Sequence, residues 1–286
     1  MMKLKFKQKI AVGFYKTKFK AYALVSKEKA VEKVFELFCT PYSGKPKRKA
    51  PPAFHKAEKV SVVVNGLTVR GWNWKPSNST GKKILIVHGF DSCSYKFEKY
   101  VLLLQQSGFE VLAFDAPGHG ISDGKFLNVL LYKQTLLAIN EKYGSFYGIM
   151  AHSVGGLAAS VAAEELQTLN KIVLIAPATE TKTATENFID FLQLGAAMTN
   201  DLLAYIEKFA NKPISYFSVT RAVENIKAEI FWLHDEDDII CPIKDVQPAI
   251  AKHLPHLHFS ISKGLGHNKI YRDNSVAKSI VTFFEN

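Results

Sequence analysis

The sequence predicts an α/β fold built on a mostly parallel, doubly wound sheet, and three observations predict it. Short apolar runs alternate with longer helical stretches from residue 82 onward, the pattern of buried parallel strands joined by right-handed crossovers with helices on both faces. A nearly all-apolar run at 146–151 passes through Ser153 and two glycines into a helix of alanines and leucines at 157–167, which reads as a strand buried on both faces and a helix lying close on the sheet. At 286 residues the chain is long enough to bury one substantial core.

Taken in order, the chain begins with its charge excess. Residues 1–50 hold 14 Lys+Arg and 3 Asp+Glu, whereas residues 51–286 hold 23 of each, so nothing in the main body's charge suggests nucleic-acid binding. Ala11, Phe14, Tyr15, Phe19 and Tyr22 fall at helical spacing, and Ser26 stands as a cap before Ala30, Val31, Val34, Phe35 and Phe38, which predicts two basic amphipathic helices. Such helices either attach to an anionic membrane surface or acidic partner, or pack on the main domain with their lysines in water. The second reading is the more ordinary one. Residues 43–53, S-G-K-P-K-R-K-A-P-P-A, read as an extended solvated connection, and the basic run at 45–49 as a charged linker rather than a localisation signal. The expected division is a helical extension and linker at 1–55 and a main domain at 56–286.

Within that domain, strands at 60–64 and 68–74 flank Asn65-Gly66, a strong hairpin signal. A strand at 82–87 ends in His88-Gly89-Phe90, and a helix at about 95–106 precedes a strand at 110–114 that ends in Asp115-Ala116-Pro117-Gly118-His119-Gly120. A helix at about 129–142, the strand at 146–151 and a strand at 171–175 continue the alternation. It lapses at 178–228, a helical stretch carrying Phe188, Phe191, Leu192, Met198, Leu202, Tyr205, Ile206 and Phe209, with Asn200 as a candidate cap and Pro213 as a stop. An insertion of this kind after a sheet strand suggests a lid, the alternative being a larger crossover. Strand and helix order resumes at 229–233, 243–254 and 256–262 and closes with a helix at 275–284.

Cys39, Cys93 and Cys241 are odd in number and widely spaced, against a disulfide framework or a zinc site and in favour of a reducing compartment. The apolar run at 10–15 is too short for a signal peptide, and no run reaches the length of a membrane span. A soluble cytoplasmic protein is expected.

Ser153 lies between a strand and a helix whose first amides point toward any negative charge beside it. A serine needs a base to take its proton, and the base needs a third group to hold it. Asp238, in His234-Asp235-Glu236-Asp237-Asp238, and His267, in Gly264-Leu265-Gly266-His267, each follow a strand, at the carboxyl edge where open α/β sheets place their sites. The order Ser, Asp, His and these contexts resemble the α/β-hydrolase superfamily, as do His88-Gly89-Phe90 and the turn at 115–122. The octet at 149–156 resembles that family's nucleophile elbow, with Ala151 where a glycine is usual.

The resemblance covers residues 60–286. It implies Ser153 as nucleophile, His267 as base and Asp238 as acid; Asp235 and Asp237 remain candidates because the run holds three aspartates, and a solvated acidic loop is the reading favoured for both. It also implies the backbone amides of Phe90 and Val154 as oxyanion donors, while His152 and His119 read as loop-shaping residues. His253, His256 and His258 form an H-x-x-H-x-H run, for which a metal site is the less favoured reading, and no metal or cofactor is expected. The expected activity is hydrolysis of a small-molecule carboxylic ester with an apolar acyl or alkyl group through an acyl-enzyme. The alternatives are thioester or other acyl hydrolysis, and a non-catalytic ligand-binding module on the same fold.

Overall fold

The computed structural model describes residues 6–42 and 49–286, with side chains from residue 11. The connection predicted at 43–53 and the basic run at 45–49 therefore lie largely outside the described residues. Eight strands form one sheet in the order β1-β2-β4-β3-β5-β6-β7-β8. β1 (Glu58–Val64) and β2 (Leu67–Trp74) form an antiparallel hairpin, and β2 also runs antiparallel to β4 (Glu110–Phe114). β3 (Lys83–Val87), β5 (Gly148–His152), β6 (Lys171–Ile175), β7 (Glu229–Asp235) and β8 (Leu257–Ser262) are all parallel to their neighbours. The hairpin turns on Asn65 and Gly66 at φ 49° and 76°, the doubly positive geometry that matches strand twist and favours Asn-Gly.

Alternation along the strands sends side chains to two cores. On one face Ile84, Ile86, Val111, Ala113, Met150, Val173 and Leu233 pack with Tyr100, Val101 and Leu104 of the Glu98–Gln106 helix and with Val276, Ile280 and Phe284 of the Asn274–Glu285 helix. The helices Val129–Tyr143 and Val154–Ala163 pack on each other, and the second of them lies against β3 and β5. Gly155 and Gly156 permit that approach: a side chain on Gly155 would meet the His88 carbonyl, and one on Gly156 would stand 2.7 Å from Pro177.

Two compact units emerge, and they divide the chain differently from the sequence reading. One combines the described part of Met1–Thr40 with Glu180–Tyr216; the other holds Pro41–Thr179 and Phe217–Asn286, including the whole sheet. In the first unit α1 (Phe6–Val25) packs on α2 (Lys27–Phe38), and these two pack on the helices Thr181–Leu192 and Ala196–Ala210. Phe38 meets Phe188 at 5.0 Å between ring centroids, and Phe35 meets Tyr205 and Phe209 at 5.2 and 5.1 Å. The physical reason is complementarity: each helix pair has an apolar stripe it cannot bury alone. Ser26 caps α2 as predicted, accepting from the Lys29 amide. Asn200 does not cap: its helix begins four residues earlier, after Gly195.

The segment before β1 also differs from a bare linker. Pro52–His55 forms a helical turn that buries Phe54 among Trp72, Trp74 and Tyr95, and the Trp74 indole N–H donates to the Ala53 carbonyl at 2.9 Å. Among the described residues no helix is long and apolar enough to cross a membrane.

Candidate active site

β5 delivers the serine. Its last residues are held on both sides, Ala151 pairing with Val87 and Leu174, and Ala151 keeps ordinary strand backbone in the position where a glycine was the usual choice. The chain then turns at Ser153, whose φ of 56° and ψ of −127° lie in a sparsely populated region that non-glycine residues enter only when their surroundings enforce it. The enforcement is visible: the Ser153 amide donates to the Ile175 carbonyl at 3.1 Å, and its carbonyl accepts from the Ala178 amide at 3.0 Å. The helix starts at Val154, three residues earlier than the sequence suggested, because two glycines weaken the helical pattern there without preventing helix.

β7 and β8 deliver the other two groups. His267 Nδ1 donates to Asp238 Oδ2 at 2.8 Å, and His267 Nε2 lies 3.0 Å from Ser153 Oγ, placed to accept its proton. All three side chains are largely buried. Burial pushes the Asp238 carboxyl up, but the His267 hydrogen bond and charge and the amides of Cys241 and Ile240, both 2.8 Å from Oδ1, outweigh it and hold the pKa below the usual carboxylate value. The arrangement can draw a proton from a hydroxyl and stabilise the imidazolium that results.

Asp235 departs from the solvated-loop reading. It is fully buried, accepting from the Asp237 and Gly266 amides at Oδ1 (3.0 and 2.8 Å) and from the Ser262 hydroxyl and Leu265 amide at Oδ2 (2.6 and 3.0 Å). Burial raises its pKa, and these four donors lower it by more. Its carboxylate therefore ties the loop after β7 to the turn that carries His267. That turn uses Gly264 and Gly266 at φ 88° and 57°, a left-handed path that explains the G-x-G spacing. Asp237 is exposed and accepts from the Gly264 amide at 3.1 Å.

Around the serine, the remaining histidines are buried and neutral. His152 is lowered to about 3, by burial and then by the charge of His267, and its Nε2 donates to the His267 carbonyl at 3.1 Å. His88 is lowered to about 4 by burial; Nδ1 donates to the Gly89 carbonyl at 2.7 Å and Nε2 accepts from the Ala116 amide at 2.9 Å. His119, also lowered to about 4 by burial, accepts from the Asp91 amide at 3.1 Å. Gly89 lies directly against the serine turn, where a Cβ would stand 2.8 Å from Ser153 Cβ. Among the described residues neither the Phe90 nor the Val154 amide has a protein acceptor.

Asp238, Cys241 and His267 form a group close enough to hold a cation. Its donors are otherwise engaged: the imidazole and carboxylate bond each other, and burial pushes the Cys241 thiol well up, away from the thiolate a metal requires. His256 and His258 turn to the Val223 carbonyl and to Glu229 instead of to each other.

A parallel sheet with a serine elbow after β5 and flanking helices defines the α/β-hydrolase fold. The chain belongs to the family described as serine aminopeptidase, S33, which matches residues 78–221. It is 24% identical over 230 residues to a serine hydrolase-like protein of Dictyostelium discoideum, covering 71% of this chain and 59% of that protein. A Mycoplasma pneumoniae protein whose name describes an esterase/lipase is 22% identical over 221 residues, 65% of this chain and 82% of the other. Among solved structures, the esterase Pf2001 of Pyrococcus furiosus aligns with a TM-score of 0.64 at 22% identity, covering 84% of this chain and 97% of that one.

Proposed function

We propose that the protein is a serine hydrolase that cleaves a carboxylic ester with an apolar acyl or alkyl group through an acyl-enzyme. The observation that carries this reading is the continuous relay from Ser153 Oγ through the His267 ring to Asp238, at 3.0 and 2.8 Å. Ser153 Oγ attacks the carbonyl carbon as its proton passes to His267 Nε2, and the carbonyl oxygen becomes an oxyanion facing the Phe90 and Val154 amides. Each such donor contributes about 3 kcal/mol to the transition state. Collapse expels the alkoxide, which takes the proton from His267. Water, deprotonated by the same imidazole, then releases the acid and restores the serine.

An apolar substrate is supported by the surroundings of these loops. The Phe90 ring meets the exposed Tyr42 ring at 6.0 Å, and Ile239 and Ile240, next to Asp238, are exposed. Esterases among the relatives and solved structures favour an oxygen ester over a thioester. The buried thiols of Cys39 and Cys241 form no disulfide, which supports a reducing, cytoplasmic setting.

The test is labelling with a fluorophosphonate and turnover of p-nitrophenyl esters of increasing chain length. Wild-type protein should be labelled on Ser153, and Ser153→Ala and His267→Ala should each abolish ester turnover. Folded protein that takes no label would favour a ligand-binding module. Cleavage of aminoacyl anilides without ester cleavage would move the activity to peptide bonds.

A further inference from the structure

We propose that the outer face of α1, together with its turn into α2, docks on an anionic phospholipid bilayer. The inference is independent of the ester-hydrolase reading and rests on one surface of the helical unit.

α1, FKQKIAVGFYKTKFKAYALV, carries five lysines and no acidic residue. The sequence suggested that Ala11 and Phe14 belong to its buried stripe, but the structure buries Val12 and Phe19, with Tyr15 and Tyr22 half-buried beside them, and leaves Ala11 and Phe14 outside. The opposite face thus presents Phe14, Ala21, Leu24 and Val25. Phe14 is 61% exposed, and Leu24 and Val25, at 90% and 81%, are more exposed than any other large apolar side chain described. A water-soluble surface does not ordinarily gather its most exposed aliphatic groups at one turn.

The unpaired charges on this helix are basic. Lys18, whose ammonium stands 5.9 Å from the Phe14 ring centroid, and Lys20 have no acidic partner among the described residues. The nearby acids are engaged: Asp201 pairs with Lys27 at 2.8 Å, and Glu28 with Lys208 at 3.4 Å. Exposed leucine, valine and phenylalanine beside lysines on one helix is the composition that lies in the headgroup region of a bilayer, with the apolar groups at the acyl boundary and the ammonium groups among lipid phosphates. A nucleic acid would satisfy the lysines but offers no apolar phase for Leu24 and Val25.

The experiment is co-sedimentation of the full chain with phosphatidylcholine vesicles, with and without phosphatidylserine. Binding to the anionic vesicles should be at least about tenfold tighter, since each lysine near an anionic surface adds attraction, and it should weaken as salt rises. Leu24→Ser with Val25→Ser should reduce binding about tenfold, and Lys18→Glu with Lys20→Glu should remove the preference for phosphatidylserine. Circular dichroism melts of both variants, unchanged from wild type, establish that the fold survives. Equal binding to the two vesicle types, or undiminished binding by the Leu24/Val25 variant, overturns the proposal. So does a vesicle-free dimer that the same variant converts to monomer, which would assign the face to a second copy of the chain.

Discussion

Asp235 shows how a residue outside the relay can set its geometry. Replacing it by asparagine keeps the volume but turns an N–H toward amides that now donate to a carboxylate. Misplacing a reacting group by about 1 Å can cost on the order of 100-fold in rate, so Asp235→Asn should lower kcat by roughly 10- to 100-fold with little change in KM, read in ester kinetics. The buried histidines make a second prediction. His88, His119 and His152 are lowered from 6.5 to about 4, 4 and 3, so the unfolded chain binds more protons than the folded one below about pH 6.5. Stability therefore falls as pH drops from about 6.5 toward 4. Asp238 and Asp235, held low, add losses further down, while Asp115, raised by burial despite the Ser94 and Ile121 amides, opposes them. At about 1.4 kcal/mol per pKa unit the histidine loss exceeds about 2 kcal/mol, and melts near pH 7.5 and pH 4.5 check it; His152→Gln should shrink the difference. Ser153, Asp238 and His267 were legible in the sequence because each stands in a turn with local chemistry of its own. Asp235 was not, because in a run of acids a buried carboxylate and a solvated one look alike, and three of its four donors lie 27 to 31 positions away.

The strands were legible as elements because buried parallel strands are short, apolar and bounded by turns, and every one of them from β3 to β8 lies where the alternation put it. Helices were less so where backbone chemistry competes with periodicity. The stretch expected to be one helix at 243–254 is a 3-10 turn, Ile243–Asp245, and a short helix, Gln247–Ile250, because Pro248 cannot donate to the preceding turn. The loop after β3 supplies a sharper test. Gly89→Ala would force a methyl against Ser153 and the His152 ring, displacing the Phe90 amide. If that amide is the oxyanion donor proposed above, its loss should lower kcat on the order of 100- to 1000-fold in ester kinetics, alongside a destabilisation of about 1 to 3 kcal/mol from the overpacking.

At the scale of the molecule, the unexpected feature is that residues 6–40 join a unit with Glu180–Tyr216. Pattern along the chain revealed both pairs of helices but not their partnership, since an amphipathic stripe says that something covers it and not what. Phe35 lies at the centre of that partnership, against Tyr205 and Phe209. Phe35→Ala should destabilise this unit by about 2 to 4 kcal/mol, and hydrogen exchange should show earlier opening of Ala196–Ala210 with the strands of the sheet unaffected. The same pairing bears on biosynthesis. At ribosomal speeds of roughly 5–20 residues per second, α1 and α2 emerge many seconds before the segment they close upon, so the nascent polypeptide carries an uncovered greasy seam for most of its translation, a natural target for a holdase chaperone.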